Sequence, residues 1–152
     1  MKKNKKGFTL AELLIVVAII AVLVAISIPI FSTQLKKARL AVNQANARAA
    51  YAAWVAQYMD EGMPARDEVT YYRYDISTGK ITSGVHPRNF GTQVCISVNN
   101  EPSTDISSWK TTTPLMNPDR KLGSYVYKYW ELGIKNGKLI AYYAYETSDG
   151  QW

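Results

Sequence analysis

The chain of 152 residues contains one cysteine and one histidine. A single thiol excludes an intrachain disulfide. Cys95 therefore reads as a small buried hydrophobe on a strand, with a reactive thiol or an intermolecular bridge as the alternative. One His and one Cys are too few for a His/Cys zinc site. His86, beside Pro87 in a loop-like stretch, belongs to no Ser/His/Asp arrangement that can be inferred. No glycine-rich phosphate loop and no metal-ligand motif appears. Ser148-Asp149-Gly150 is a conceivable calcium contact, but Asp-Gly far more often marks a turn. No catalytic residue, cofactor or metal site is expected, and the chain reads as a non-enzyme.

Acidic residues are also scarce at 12 against 18 Lys and Arg, which gives a formal net charge of +6. Lys2, Lys3, Lys5 and Lys6 supply four of those six charges. The excess is thus a local feature of the N-terminus, better suited to orienting a membrane segment than to binding nucleic acid. Lys121, Lys128, Lys135 and Lys138 lie among tyrosines, but acidic residues are interspersed, so no nucleic-acid partner is expected.

The apolar content is concentrated between Phe8 and Phe31, where Glu12 is the sole charge. A helix of about 24 residues rises about 36 Å, enough to cross a hydrocarbon core of about 30 Å. The lysines should remain cytoplasmic. A secretory signal would have a shorter apolar core followed by a small-residue cleavage site; Ala25-Ile26-Ser27 fits that only weakly. Glu12 is the other anomaly, since a carboxylate at the membrane needs a partner or a task. Seating in the headgroup region is the plain alternative. Pro29 removes one helix donor and crowds the preceding turn, so a kink or loosened turn is expected there.

Lys5-Lys6-Gly7 followed by Phe8-Thr9-Leu10-Ala11-Glu12-Leu13-Leu14 and an unbroken apolar run resembles the class III signal of type IV pilins, over roughly residues 1–40. The resemblance implies that a prepilin peptidase removes residues 1–7 by cutting between Gly7 and Phe8, and that the new Phe8 amine is N-methylated. It implies that Glu12 sets subunit register by pairing with a neighbour's N-terminal amine, a logic consistent with the need to pair buried charge. Residues 8–31 would form the transmembrane segment and later the filament core, with Leu10, Leu13, Leu14, Val16, Val17, Ile20, Leu23 and Val24 inside it. The short leader and Phe8 resemble the type IVa class. The single cysteine departs from the disulfide-closed loop of many Gram-negative pilins, and resembles the disulfide-free kind of Gram-positive bacteria such as clostridia.

Beyond Ser32 the pattern becomes amphipathic. Leu35, Ala38, Val42, Ala45, Ala49, Ala52, Ala56 and Met59 recur at three- and four-residue steps, a stripe expected to pack on a sheet or a neighbouring helix. Gly62-Met63-Pro64 should end the helix. The predicted architecture is α+β: one helix from about residue 8 to about 61, whose second half (32–61) packs on an antiparallel head formed by residues 62–152, as in the pilin fold. Thr70–Asp75 and Thr92–Val98 read as strands, and Asn99–Pro118 as loop. Ser124–Gly133 and Lys138–Glu146 should form a hairpin about Asn136-Gly137, a favoured type I′ turn. The tyrosines read as half-buried strand residues.

A structural subunit, most naturally a major pilin, follows from the resemblance, with roles in adhesion, surface motility or biofilm formation. Its partners would be further copies of itself, the peptidase, assembly ATPases and an inner-membrane platform protein. A pseudopilin of a secretion or competence system is the alternative within the family. A monomeric membrane-anchored binding domain is the alternative outside it.

Overall fold

The computed structural model describes residues 7–84, 95–98, 101–115 and 120–145. The chain divides into two compact units, Met1–Leu35 and Lys36–Trp152. His86 and Ser148-Asp149-Gly150 lie outside the described residues. So do Thr92–Val94, part of one expected strand.

In the first unit the described structure is the opening of helix α1, which spans Leu10–Asp60 in all. The α-helix persists through Pro29. Pro29 has no N–H to offer the Ala25 carbonyl. Two hydroxyls bond back to carbonyls around it: Ser27 Oγ donates to Leu23 O at 2.7 Å and Thr33 Oγ1 to Pro29 O at 3.0 Å. Such back-bonds let a small polar side chain sit within an apolar helix without a free donor.

In the second unit the rest of α1 packs on a four-stranded antiparallel sheet of order β2-β1-β5-β6, formed by β1 (Thr70–Asp75), β2 (Lys80–Ser83), β5 (Tyr129–Lys135) and β6 (Lys138–Tyr145). A two-stranded ribbon pairs β3 (Ser97–Val98) with β4 (Glu101–Pro102). Glu101–Pro102 and a 3-10 turn at Ile106–Ser108 give local order to a region expected as loop. The β5–β6 hairpin turns at Asn136 and Gly137, both at positive φ (49° and 69°), as a type I′ turn requires. The helix ends in a Schellman motif. Met63 N donates to Tyr58 O, Gly62 N donates to Met59 O, and Gly62 takes φ 79°.

Aromatic side chains dominate the core. Trp130 stacks on Trp109 with centroids 6.0 Å apart, and Tyr142 meets Trp109 edge-on at 5.3 Å. Tyr72, Tyr127 and Leu132 are fully enclosed beside them. Four or more such aromatics, each burying ~150–250 Å², give this small sheet a core that aliphatic residues alone would not fill. Cys95 is buried and free, bridging to Tyr143 on the edge strand. Only Ser97 and Val98 of the expected 92–98 strand form a regular one among the described residues; Cys95 and Ile96 make isolated bridges.

The helix face that meets the sheet differs from the expected one. Leu35, Ala38, Val42, Ala45, Ala49, Ala52, Ala56 and Met59 are all exposed. The buried residues are Asn43, Ala47, Ala50 and Trp54. A polar residue heads this second stripe, so a purely apolar periodicity selects the wrong face. Asn43 is fully buried because the head satisfies it. Its Nδ2 donates to Leu122 O (2.8 Å) and Tyr125 O (2.7 Å), and its Oδ1 accepts from Tyr127 N (3.0 Å). Arg39 Nη1 donates to Ser124 O at 2.7 Å, and Asn46 Nδ2 to Tyr127 O at 3.4 Å.

These bonds also correct the expected strand at Ser124–Gly133. Strand β5 begins at Tyr129; ahead of it Ser124 O, Tyr125 O and Tyr127 N are bonded to helix side chains instead of a ladder.

Candidate functional site

The sequence places its chemistry at the start of α1. Thr9 is the residue before the first helical position and Glu12 lies in the first turn. Thr9 N and Thr9 Oγ1 both donate to Glu12 Oε2, at 2.8 and 2.7 Å, while Glu12 N donates to Thr9 Oγ1 at 3.3 Å. This reciprocal arrangement is a capping box, in which Thr and Glu three residues apart satisfy each other's orphan groups. The helix N-terminus adds its positive end of the dipole to the same carboxylate. Glu12 therefore starts the helix and carries a fixed negative charge at its tip. Both Thr9 bonds fall on Oε2, so Oε1 is available to a cation from outside the chain.

Around this charge the helix is uniformly greasy. Leu10, Leu13, Leu14, Val16, Val17, Ile20, Leu23 and Val24 are all exposed, with between 48% and 78% of their surface open. Phe8 is 84% exposed. None of an 18-residue apolar window is buried within the chain, and the helix is long and apolar enough to cross a membrane. The residues expected in a filament core thus lie on every side of the helix. About 25 cal/mol per Å² of this surface would be recovered on burial. At Gly7 an added Cβ would meet nothing within 4 Å. Its lack of a side chain has no internal reason in this unit.

Thr9's pairing with Glu12 was not among the sequence expectations, although the Thr-x-x-Glu spacing signals it. Arg39, Asn43 and Asn46 likewise lie off the apolar stripe expected to form the packing face. They are in fact the groups that hold the head.

In the head Glu131 is a buried charge, fully enclosed and facing Arg73 across β1–β5. Arg73 Nη2 lies 3.2 Å from Glu131 Oε2, and its guanidinium sits 5.2 Å from the centre of the Tyr145 ring. Tyr145 Oη donates to Glu131 Oε1 at 3.4 Å. This is a paired, hydrogen-bonded charge of the kind that cores tolerate. Among the described residues no group of three His, Cys, Asp or Glu is placed to hold a metal ion.

The N-terminal sequence has known counterparts. Residues 2–28 match the family model described as the prokaryotic N-terminal methylation motif. The chain is also 43% identical over 67 residues to the type IV narrow pilus major component PilA5 of Thermus thermophilus, over 42% of this chain. It spans 56%, or about half, of that relative's length. No solved structure matches the chain. The likeness to a type IV pilin agrees with a long N-terminal helix joined to an antiparallel sheet.

Proposed function

We propose that this chain is a prepilin. Residues 1–7 form a leader, a prepilin peptidase cuts between Gly7 and Phe8, and the new Phe8 amine is methylated. Residues 8–31 hold the subunit in the cytoplasmic membrane as a single pass and then become the core of a homopolymeric filament, a type IV pilus at the cell surface. Residues 32–61 complete the core of the head formed by 62–152. The subunit is structural; assembly ATPases and an inner-membrane platform protein supply the work. The filament acts in adhesion, surface motility or biofilm formation, as a major pilin. Cys95, single and enclosed, supports the disulfide-free kind.

The observation that carries this reading is one acidic residue, helix-capped and fixed, at the head of an apolar helix with no partner surface of its own. A charge at the centre of a membrane helix costs about 2.5–3.5 kcal/mol on insertion scales, and one near the end costs less. Pairing Glu12 Oε1 with the Phe8 amine of a second copy removes that penalty and fixes axial register. Gly7 supports the cleavage step, because a residue without a Cβ lets an extended backbone lie close in a protease groove. Pro29 is the point where the helix is least constrained to stay regular.

Mass spectrometry of the N-terminal peptide from filaments sheared off intact cells tests the proposal. Methylated Phe8 in the fibres is the expected result. The processed chain found only in membranes identifies a pseudopilin instead. A chain still beginning at Met1, absent from fibres, refutes the reading and leaves an anchored domain.

A further inference from the structure

Away from the N-terminal site, the head carries a cavity of about 500 Å³ where α1, the 3-10 turn and β6 meet. Arg48 and Tyr51 line it from the helix, Asp105 and Ile106 from the turn, and Leu139 and Tyr142 from β6. All belong to the second unit. Such a cavity lies in the usual size range of small-molecule sites.

Its polar groups are of two kinds. Arg48 is exposed and forms no ion pair or hydrogen bond with a described residue. Tyr142 is 99% enclosed and packs its ring on Trp109 and Trp130, yet its hydroxyl makes no hydrogen bond among the described residues. Burial pushes the Tyr142 phenol up. Tyr51 raises it further and Arg48 opposes, so the three polar heads share one neighbourhood. The acceptor is Asp105. It lines the cavity, and its Oδ1 caps the turn through Ser107 N (2.9 Å) and Ser107 Oγ (2.6 Å).

This pairing selects among ligands. A guanidinium with phenolic donors beside it favours a carboxylate. A carboxylate close by repels a bare anion and accepts hydroxyl hydrogens. Leu139 and Ile106 offer apolar walls, and tyrosine rings suit the C–H face of a sugar. We propose that the cavity binds an acidic saccharide, with the sugar carboxylate on Arg48 and Tyr142 and a sugar hydroxyl on Asp105. The inference is independent of the filament reading, since an anchored monomer would hold the same cavity.

The test uses the full chain in mild detergent and follows Trp fluorescence, because Trp109 lies against Tyr142. D-glucuronate is the probe, with glucose, acetate and N-acetyl-aspartate amide as comparisons. Saturable binding of glucuronate is expected, roughly tenfold tighter than glucose. Tyr142→Phe keeps the buried ring, and Arg48→Gln alters an exposed side chain, so both should fold as wild type. Each should weaken glucuronate roughly tenfold and leave glucose little changed. Acetate binding as well as glucuronate would reduce the site to simple charge attraction and overturn the proposal. Tighter binding of the aspartate derivative would make it a peptide site. No saturation with glucuronate, or saturation indifferent to both variants, also overturns it.

Discussion

Asn43→Leu keeps the branched heavy-atom outline of the side chain and removes all of its hydrogen bonding. In the folded head this strips partners from Leu122 O, Tyr125 O and Tyr127 N at once. The Leu122 and Tyr127 groups are buried, so water cannot replace the lost partner. Each buried unsatisfied group costs about 1–3 kcal/mol. The leucine recovers roughly 1 kcal/mol of apolar transfer, which leaves a net loss of about 1–5 kcal/mol. For a domain of this size that lowers the melting midpoint by on the order of 10 °C. Fluorescence of the buried Trp54, Trp109 and Trp130 is a suitable assay, since helicity of the apolar segment would mask the head in circular dichroism. Hydrogen exchange at the Tyr127 amide reports the same event locally. A variant that melts within about 2 °C of wild type, with the Tyr127 amide still protected, would refute the clamp.

Glu12→Ala should leave cleavage at Gly7 intact and abolish filaments, read by comparing processed chain in membranes with chain in sheared fibres. Thr9→Ala should cost about 1 kcal/mol of helix-end stability and fray the first turn by hydrogen exchange, while Thr9→Ser keeps both. Tyr72 donates to Glu61 at 2.9 Å. Burial first, then that carboxylate, raises its phenol to about 12. A raised folded pKa stabilises below the unfolded value near 10 and is lost as pH rises from about 10 to 12. Alkaline unfolding in that window, with tyrosinate absorbance appearing together with loss of Trp fluorescence, is the expected result, and Tyr72→Phe should blunt it. Burial pushes the Cys95 thiol up to about 11, so iodoacetamide at neutral pH should spare it in the native head and label it in urea.

The parts of the fold set by local chemistry were legible. Asn136-Gly137 forms the turn it signals, Gly62 caps the helix, and Thr70–Asp75 is a strand, because each rests on backbone preferences of a few adjacent residues. The buried helix face was not, for a tertiary reason. Asn43 looks like a solvent residue until carbonyls from residues 122 and 125, about eighty positions later, come to meet it. Strand β5 was read five residues too early for the same cause. At the N-terminus the methylation motif, Glu12 and the apolar run were visible as a linear pattern. Thr9 as the group that orients Glu12 was not drawn from it, although its spacing was in view. The cavity of Arg48, Asp105 and Tyr142 joins residues from three separate segments, and no linear pattern announces it.

The way α1 grips the head also bears on how this surface can evolve. Arg39, Asn43 and Asn46 take hold of residues 122–127 through main-chain atoms. Side chains at Tyr125 and Val126 point to solvent and take no part in that grip. A partner that docked on this loop would read side chains. The loop can therefore change its outward identity by substitution while the helix continues to hold the same carbonyls, so long as the backbone path is kept.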